Sequence, residues 1–132
     1  KEETDRSSRN VVAAIDSRDG NETYEQLNQR IIEFSRRVMD NEYAEVHFIN
    51  AHRDLASSPD RNALLRNTGV ASNRMHIRLG DPEDVIVDNA KVLNASLVVV
   101  GNAARSGLSA LVHGNTVEKI VDRVECDVLS MP

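Results

Sequence analysis

The sequence holds no tryptophan, two tyrosines, two phenylalanines, three prolines and one cysteine in 132 residues. A lone thiol, Cys126, closes no internal disulfide and fits a reducing compartment. So few aromatic rings (Tyr24, Tyr43, Phe34, Phe48) give no platform of the kind that single-stranded nucleic-acid binders stack on. A net charge of −5 also runs against a surface built to neutralise a phosphate backbone. Nucleic acid is therefore not an expected partner. No apolar run approaches the roughly 20 residues that a membrane helix needs, and no signal-peptide pattern opens the chain. No membrane partner is expected, and the expected setting is cytoplasmic. The four histidines (His47, His52, His76, His113) lie far apart without metal-ligand spacing, so no metal site is expected.

What is present is Val, Ile, Leu and Ala, enough for one core in a single domain. Val11 to Ile15 reads as a buried strand that ends at Asp16 and a Ser-Arg-Asp-Gly turn. Asn21 is a helix cap, and Tyr24, Leu27, Ile31, Phe34 and Val38 place an apolar stripe on the helix behind it. Ala44 to Asn50 reads as a second strand. The stretch from Ala51 to Asn73 is the least legible. Either it holds a meagre helix from Ser58-Pro59 through Leu64 and Leu65 to Gly69, or residues are missing there. Arg74 to Leu79 alternates as a strand near a sheet edge. Asp81-Pro82-Glu83-Asp84 is a helix start, with Val85, Ile86, Ala90 and Val92 behind it. Asn94 to Val100 reads as a fourth strand. A last helix is expected from Thr116 to Glu125, carrying Val117, Ile120, Val121 and Val124. Asn115 and Glu118 have the spacing of a capping box at its start. Asp127 to Met131 closes as a fifth strand.

Strands alternating with helices, and no hairpin signals, predict an α/β fold: a doubly wound, five-stranded, parallel sheet of order 3-2-1-4-5, Rossmann-like. In that order Asp16 and Gly101 end neighbouring strands at the switch point, where such sheets bind ligands. Between Gly101 and Gly114 lies a small-residue loop carrying Arg105, ahead of a helix N-terminus; free backbone N–H groups and the helix dipole suit an anion. No Walker lysine and no general base stand beside this loop.

Three stretches together resemble the universal stress protein family: Val11-Val12-Ala13-Ala14-Ile15-Asp16-Ser17, Gly80-Asp81-Pro82, and Gly101 through Gly114-Asn115-Thr116 with Cys126-Asp127-Val128-Leu129. The resemblance covers residues 10–132 as one such domain and is strongest to the E-type tandem members; residues 1–9 then read as a linker or trimmed terminus. It implies the adenine nucleotide alpha hydrolase-like version of the fold and ATP as the ligand, with Mg²⁺ if a triphosphate binds. Asp16 and Ala51, the latter just after strand 2, would lie by the adenine. Gly101, Asn102, Ala104, Arg105, Gly114, Asn115 and Thr116 would surround ribose and phosphates. The family's nucleotide binders carry a second glycine where Ala104 stands and a hydroxyl where Asn115 stands. If the backbone at Ala104 needs a positive φ, alanine costs on the order of 1 kcal/mol; if it needs only closeness to phosphate, alanine is nearly harmless. Asn115 keeps a donor in its NH₂ group. The resemblance implies a regulatory domain with at most slow ATP hydrolysis and no catalytic residues. The alternative is a non-binding interaction domain. In either case a homodimer or second domain would pair through the last strand: Asp127, Val128, Leu129, Ser130 and Met131.

Overall fold

Five short strands set the architecture. The computed structural model describes residues 10–15, 22–40, 44–52, 55, 59–101 and 114–131. Strand β1 (Asn10–Ala14) leads to helix α1 (Glu22–Asp40), then β2 (Glu45–His52) and α2 (Arg61–Thr68). A single 3-10 turn (Ser72–Arg74) precedes β3 (Met75–Leu79), and α3 (Pro82–Val92), β4 (Leu97–Gly101), α4 (Gly114–Arg123) and β5 (Asp127–Met131) complete the chain. All pairings are parallel, in the order β3-β2-β1-β4-β5, as the sequence predicts.

Alternation along the strands divides the core in two. Val11, Ala13 and Ile15 join Leu27, Ile31 and Ile32 of α1 and Leu64 of α2 on one face. Val12 and Ala14 join Val85, Ile86 and Val87 of α3 and Ile120 of α4 on the other. Both faces are thus covered, which is why β1 and β4 read as unbroken apolar runs.

Several boundaries differ from expectation. β2 extends to His52 because β3 supplies ladder partners that far, Ala51 facing Arg78 and His52 facing Leu79. Ala51 therefore lies inside β2, not after it. The short helix after β2 is real, but Asp60 caps it, its carboxylate accepting from the N–H groups of Asn62 and Ala63. Gly69, at φ 72°, ends it as a left-handed cap. β4 starts at Leu97, three residues later than expected. Asn94, at φ 50°, closes α3: its N–H donates to Lys91 O and that of Ala95 to Ala90 O, the paired bonds of a Schellman motif. Val92 is 83% exposed, one step off the stripe formed by Val85, Ile86 and Ala90, while the unexpected Val87 is buried. Val121 is likewise turned outward, and Leu79 is exposed at the end of the edge strand. On α1, Ser35 is fully buried, its hydroxyl donating to Ile31 O at 2.7 Å, whereas Phe34 and Val38 are only half-buried.

α4 begins at Gly114 rather than Thr116, so Asn115 lies within the first turn and does not precede it as a cap. A first-turn N–H has no intrahelical acceptor to lose, and glycine's weak helix propensity costs little there. The expected linker at residues 1–9 lies outside the described residues.

Candidate functional site

Topology makes the crevice. β1 and β4 are neighbours, yet the helix following β1 packs on one face of the sheet and the helix following β4 packs on the other. The chain leaves the two strands in opposite directions, and the gap between those exits is where doubly wound sheets take ligands. Because α4 returns β4 to the parallel β5, its first turn starts from the carboxyl side of the sheet.

Two predicted site residues have described surroundings. Ala51 is buried at the carboxyl end of β2, against the α3 and α4 cluster. Gly101 is the last residue of β4, paired with Met131. A Cβ at Gly101 would stand 2.5 Å from Leu27 Cδ2 and 2.7 Å from its Cγ, so α1 packs onto the end of β4 only because no side chain is there. Gly114, Asn115 and Thr116 form the first turn of α4. Asp16, Asn102, Ala104 and Arg105 lie outside the described residues.

Sequence reasoning overlooked Asn50. It is 1% exposed in β2, and its side-chain nitrogen donates to Ile15 O at 3.1 Å, just past the end of β1. A carbonyl only accepts, so this contact fixes the amide's orientation and leaves Oδ1 as the acceptor. Oδ1 is buried with no hydrogen-bond partner among the described residues, and so is Nδ1 of His52, two residues further along the same strand. A buried acceptor without a donor costs about 1–3 kcal/mol. The available signal was a lone amide in the otherwise apolar run Phe48-Ile49-Asn50-Ala51.

The register also joins two histidines that the sequence separates. His47 Nδ1 lies 2.9 Å from His76 Nε2, with the rings stacked at 5.2 Å. Glu45 Oε1 sits 3.1 Å from His47 Nε2 and 3.2 Å from Arg74 Nε. If His47 donates to Glu45, its Nδ1 accepts from His76. Burial first, then neighbouring positive charge, lowers the pKa of His76; burial also lowers that of His47, against the pull of Glu45. Among the described residues no group of three or more His, Cys, Asp or Glu side chains is arranged to hold a metal. Cys126 is buried. Arg123 Nη1 is 2.8 Å from both Glu83 Oε1 and Asp84 Oδ1, tying the last turn of α4 to the first turn of α3; these contacts raise the arginine's pKa.

Fold, switch point and glycine spacing define a class, and comparison gives it a family. The model of the universal stress protein family matches residues 30–132, and the chain belongs to that family. Its curated relatives are E-type members. Universal stress protein E of Escherichia coli (strain K12) is 43% identical over 67 residues, 51% of this chain and 21% of that protein. The Photorhabdus laumondii homologue is 27% identical over an alignment covering 92% of this chain and 46% of that protein. The chain thus spans less than half the length of the curated relatives it matches. Among solved structures, a functionally unknown protein from Pseudomonas aeruginosa PAO1 aligns with TM-score 0.77 at 26% identity, over 95% of this chain and 47% of that one. A universal stress protein in complex with cAMP aligns with TM-score 0.65 at 20% identity, over 94% and 96%. No helix among the described residues is long and apolar enough to cross a membrane.

Proposed function

We propose that this domain is a regulatory module of the cytoplasm that binds an adenine nucleotide, ATP first, in the crevice between the carboxyl ends of β1 and β4, without fast turnover. The observation that carries the reading is the switch point itself: β1 and β4 adjacent, with Gly101 ending one strand and Gly114 opening the helix that follows it. Buried Asn50 Oδ1, an acceptor still lacking a donor at this end of the sheet, fits a ligand that carries N–H groups. In this reading Asp16 and Ala51 flank the base. Gly101, Asn102 and Ala104 approach the ribose and phosphates closely, Arg105 contributes charge, and the first-turn N–H groups at Gly114, Asn115 and Thr116 meet a phosphate. Mg²⁺ accompanies a triphosphate and asks for no site made by protein alone. The cAMP-bound neighbour, at 20% identity, supports the fold alone and not this ligand.

Calorimetric titration of the chain with ATP and Mg²⁺, beside Asp16→Ala, tests the proposal. Saturable binding in the micromolar range is expected, weakened at least about tenfold by the substitution, the scale of one lost charged hydrogen bond. Absence of heat at millimolar ATP overturns the reading.

A second reading has its own observation. β5 is an outer strand that pairs only with β4 among the described residues, and Val128 to Met131 are half-buried along it. In that reading the domain serves mainly as a pairing surface for a second copy or a second such domain.

A further inference from the structure

We infer that Asn50 reads the base: its Oδ1 accepts a hydrogen bond from the exocyclic amine of a 6-aminopurine. The domain thereby selects adenine over hypoxanthine or guanine nucleotides. This inference rests on the nucleotide reading and adds to it a residue and a rule of discrimination. Three facts carry it. Asn50 is pinned beside the end of β1 by donation to Ile15 O, so its amide orientation is settled by chemistry. Its remaining acceptor is buried and unpaired among the described residues. Its strand neighbour two residues on, His52, leaves a second buried polar atom without a hydrogen-bond partner among the described residues, at the same carboxyl end of β2. Buried polar groups in folded proteins are nearly always partnered, so an unpaired one calls for a partner from outside the fold or a functional reason. The pairing has a sign. Adenine presents N–H at C6 where hypoxanthine and guanine present a carbonyl oxygen, and two facing acceptors repel with no proton between them. A site with a committed acceptor rejects the wrong partner far more strongly than an apolar pocket does.

The experiment is titration of the wild-type chain with ATP and with ITP, which differ at C6, in the presence of Mg²⁺. ATP is expected to bind at least about tenfold more tightly than ITP. In Asn50→Ala and in the bulkier Asn50→Leu, the preference is expected to fall below about threefold, through weaker ATP binding and unchanged or improved ITP binding. Equal affinity of the wild type for the two nucleotides overturns the inference without any variant. So does a preference that survives in whichever variant keeps the wild-type circular dichroism spectrum and melting midpoint. In both of those cases ATP binds, and nucleotide binding stands while the role of Asn50 falls. If neither nucleotide binds the wild type, both fall together.

Discussion

At the scale of single residues, the chemistry that matters came from polar side chains in apolar company. His47 Nδ1 and His76 Nε2 stand 2.9 Å apart, with Glu45 on one side and Arg74, Arg61 and Arg78 as the charged groups around them. Both imidazoles have native pKa values below the ordinary 6.5, so near that pH the unfolded chain binds more protons than the folded one. Stability is then complete above about pH 6.5 and falls as acidification passes from the unfolded pKa toward the depressed native ones. Chemical denaturation between pH 7.5 and 5 is expected to show this fall, and His76→Gln is expected to flatten it; an unchanged slope in the variant would assign the acid sensitivity to other groups. This pair was not legible in sequence, and Asn50 showed there only as a lone amide in an apolar run, without its role. His47 and His76 are 29 positions apart, and only the β2–β3 register brings them face to face. Asn50 declares itself only through Ile15 O, a backbone atom 35 residues away.

Among the elements, legibility followed the strength of local signals. The strand at Leu97–Gly101 and the Asp81-Pro82 helix start were plain because burial on both faces and capping chemistry each leave a pattern within a few residues. Helix ends were misplaced where the cap was a residue that serves equally well elsewhere: Asn94 was read as the start of a strand, and its left-handed backbone in fact ends α3. Val92 and Val121 stand near helical spacing with the apolar stripes of α3 and α4, but each falls just off its stripe and is turned outward. α2 leans on its cap, since only Leu64 and Thr68 of its eight residues are buried. Asp60→Ala removes the acceptor for two first-turn N–H groups and is expected to cost about 1 kcal/mol in urea denaturation, with Asp60→Asn recovering most of it. A cost near zero would mean that Leu64 alone holds the helix in place.

For the molecule as a whole, strand order and family were both written in the sequence, because alternating elements without hairpins leave few arrangements. The candidate site was legible only in outline. Its frame, β1 beside β4, stands as expected, α4 starts two residues earlier than expected, at Gly114, and Asp16, Asn102, Ala104 and Arg105 lie outside the described residues. The open side of β5 bears on assembly. A charge placed mid-strand by Leu129→Lys is expected to shift any self-association seen by analytical ultracentrifugation toward monomer while leaving the circular dichroism spectrum native; an unmoved distribution would place the contact elsewhere. The central place of β1 has a consequence in time. Its first partner, β2, begins only 35 residues later, since Asn10 pairs with Glu45, but its other flank waits for β4, and Ser96 reaches Asn10 across 86 positions. At roughly 5–20 residues per second of synthesis, that flank stays bare for about 4–17 seconds. During those seconds the growing chain offers Val11 to Ala14 to any other strand that happens by, and a nascent-chain chaperone would find its work there.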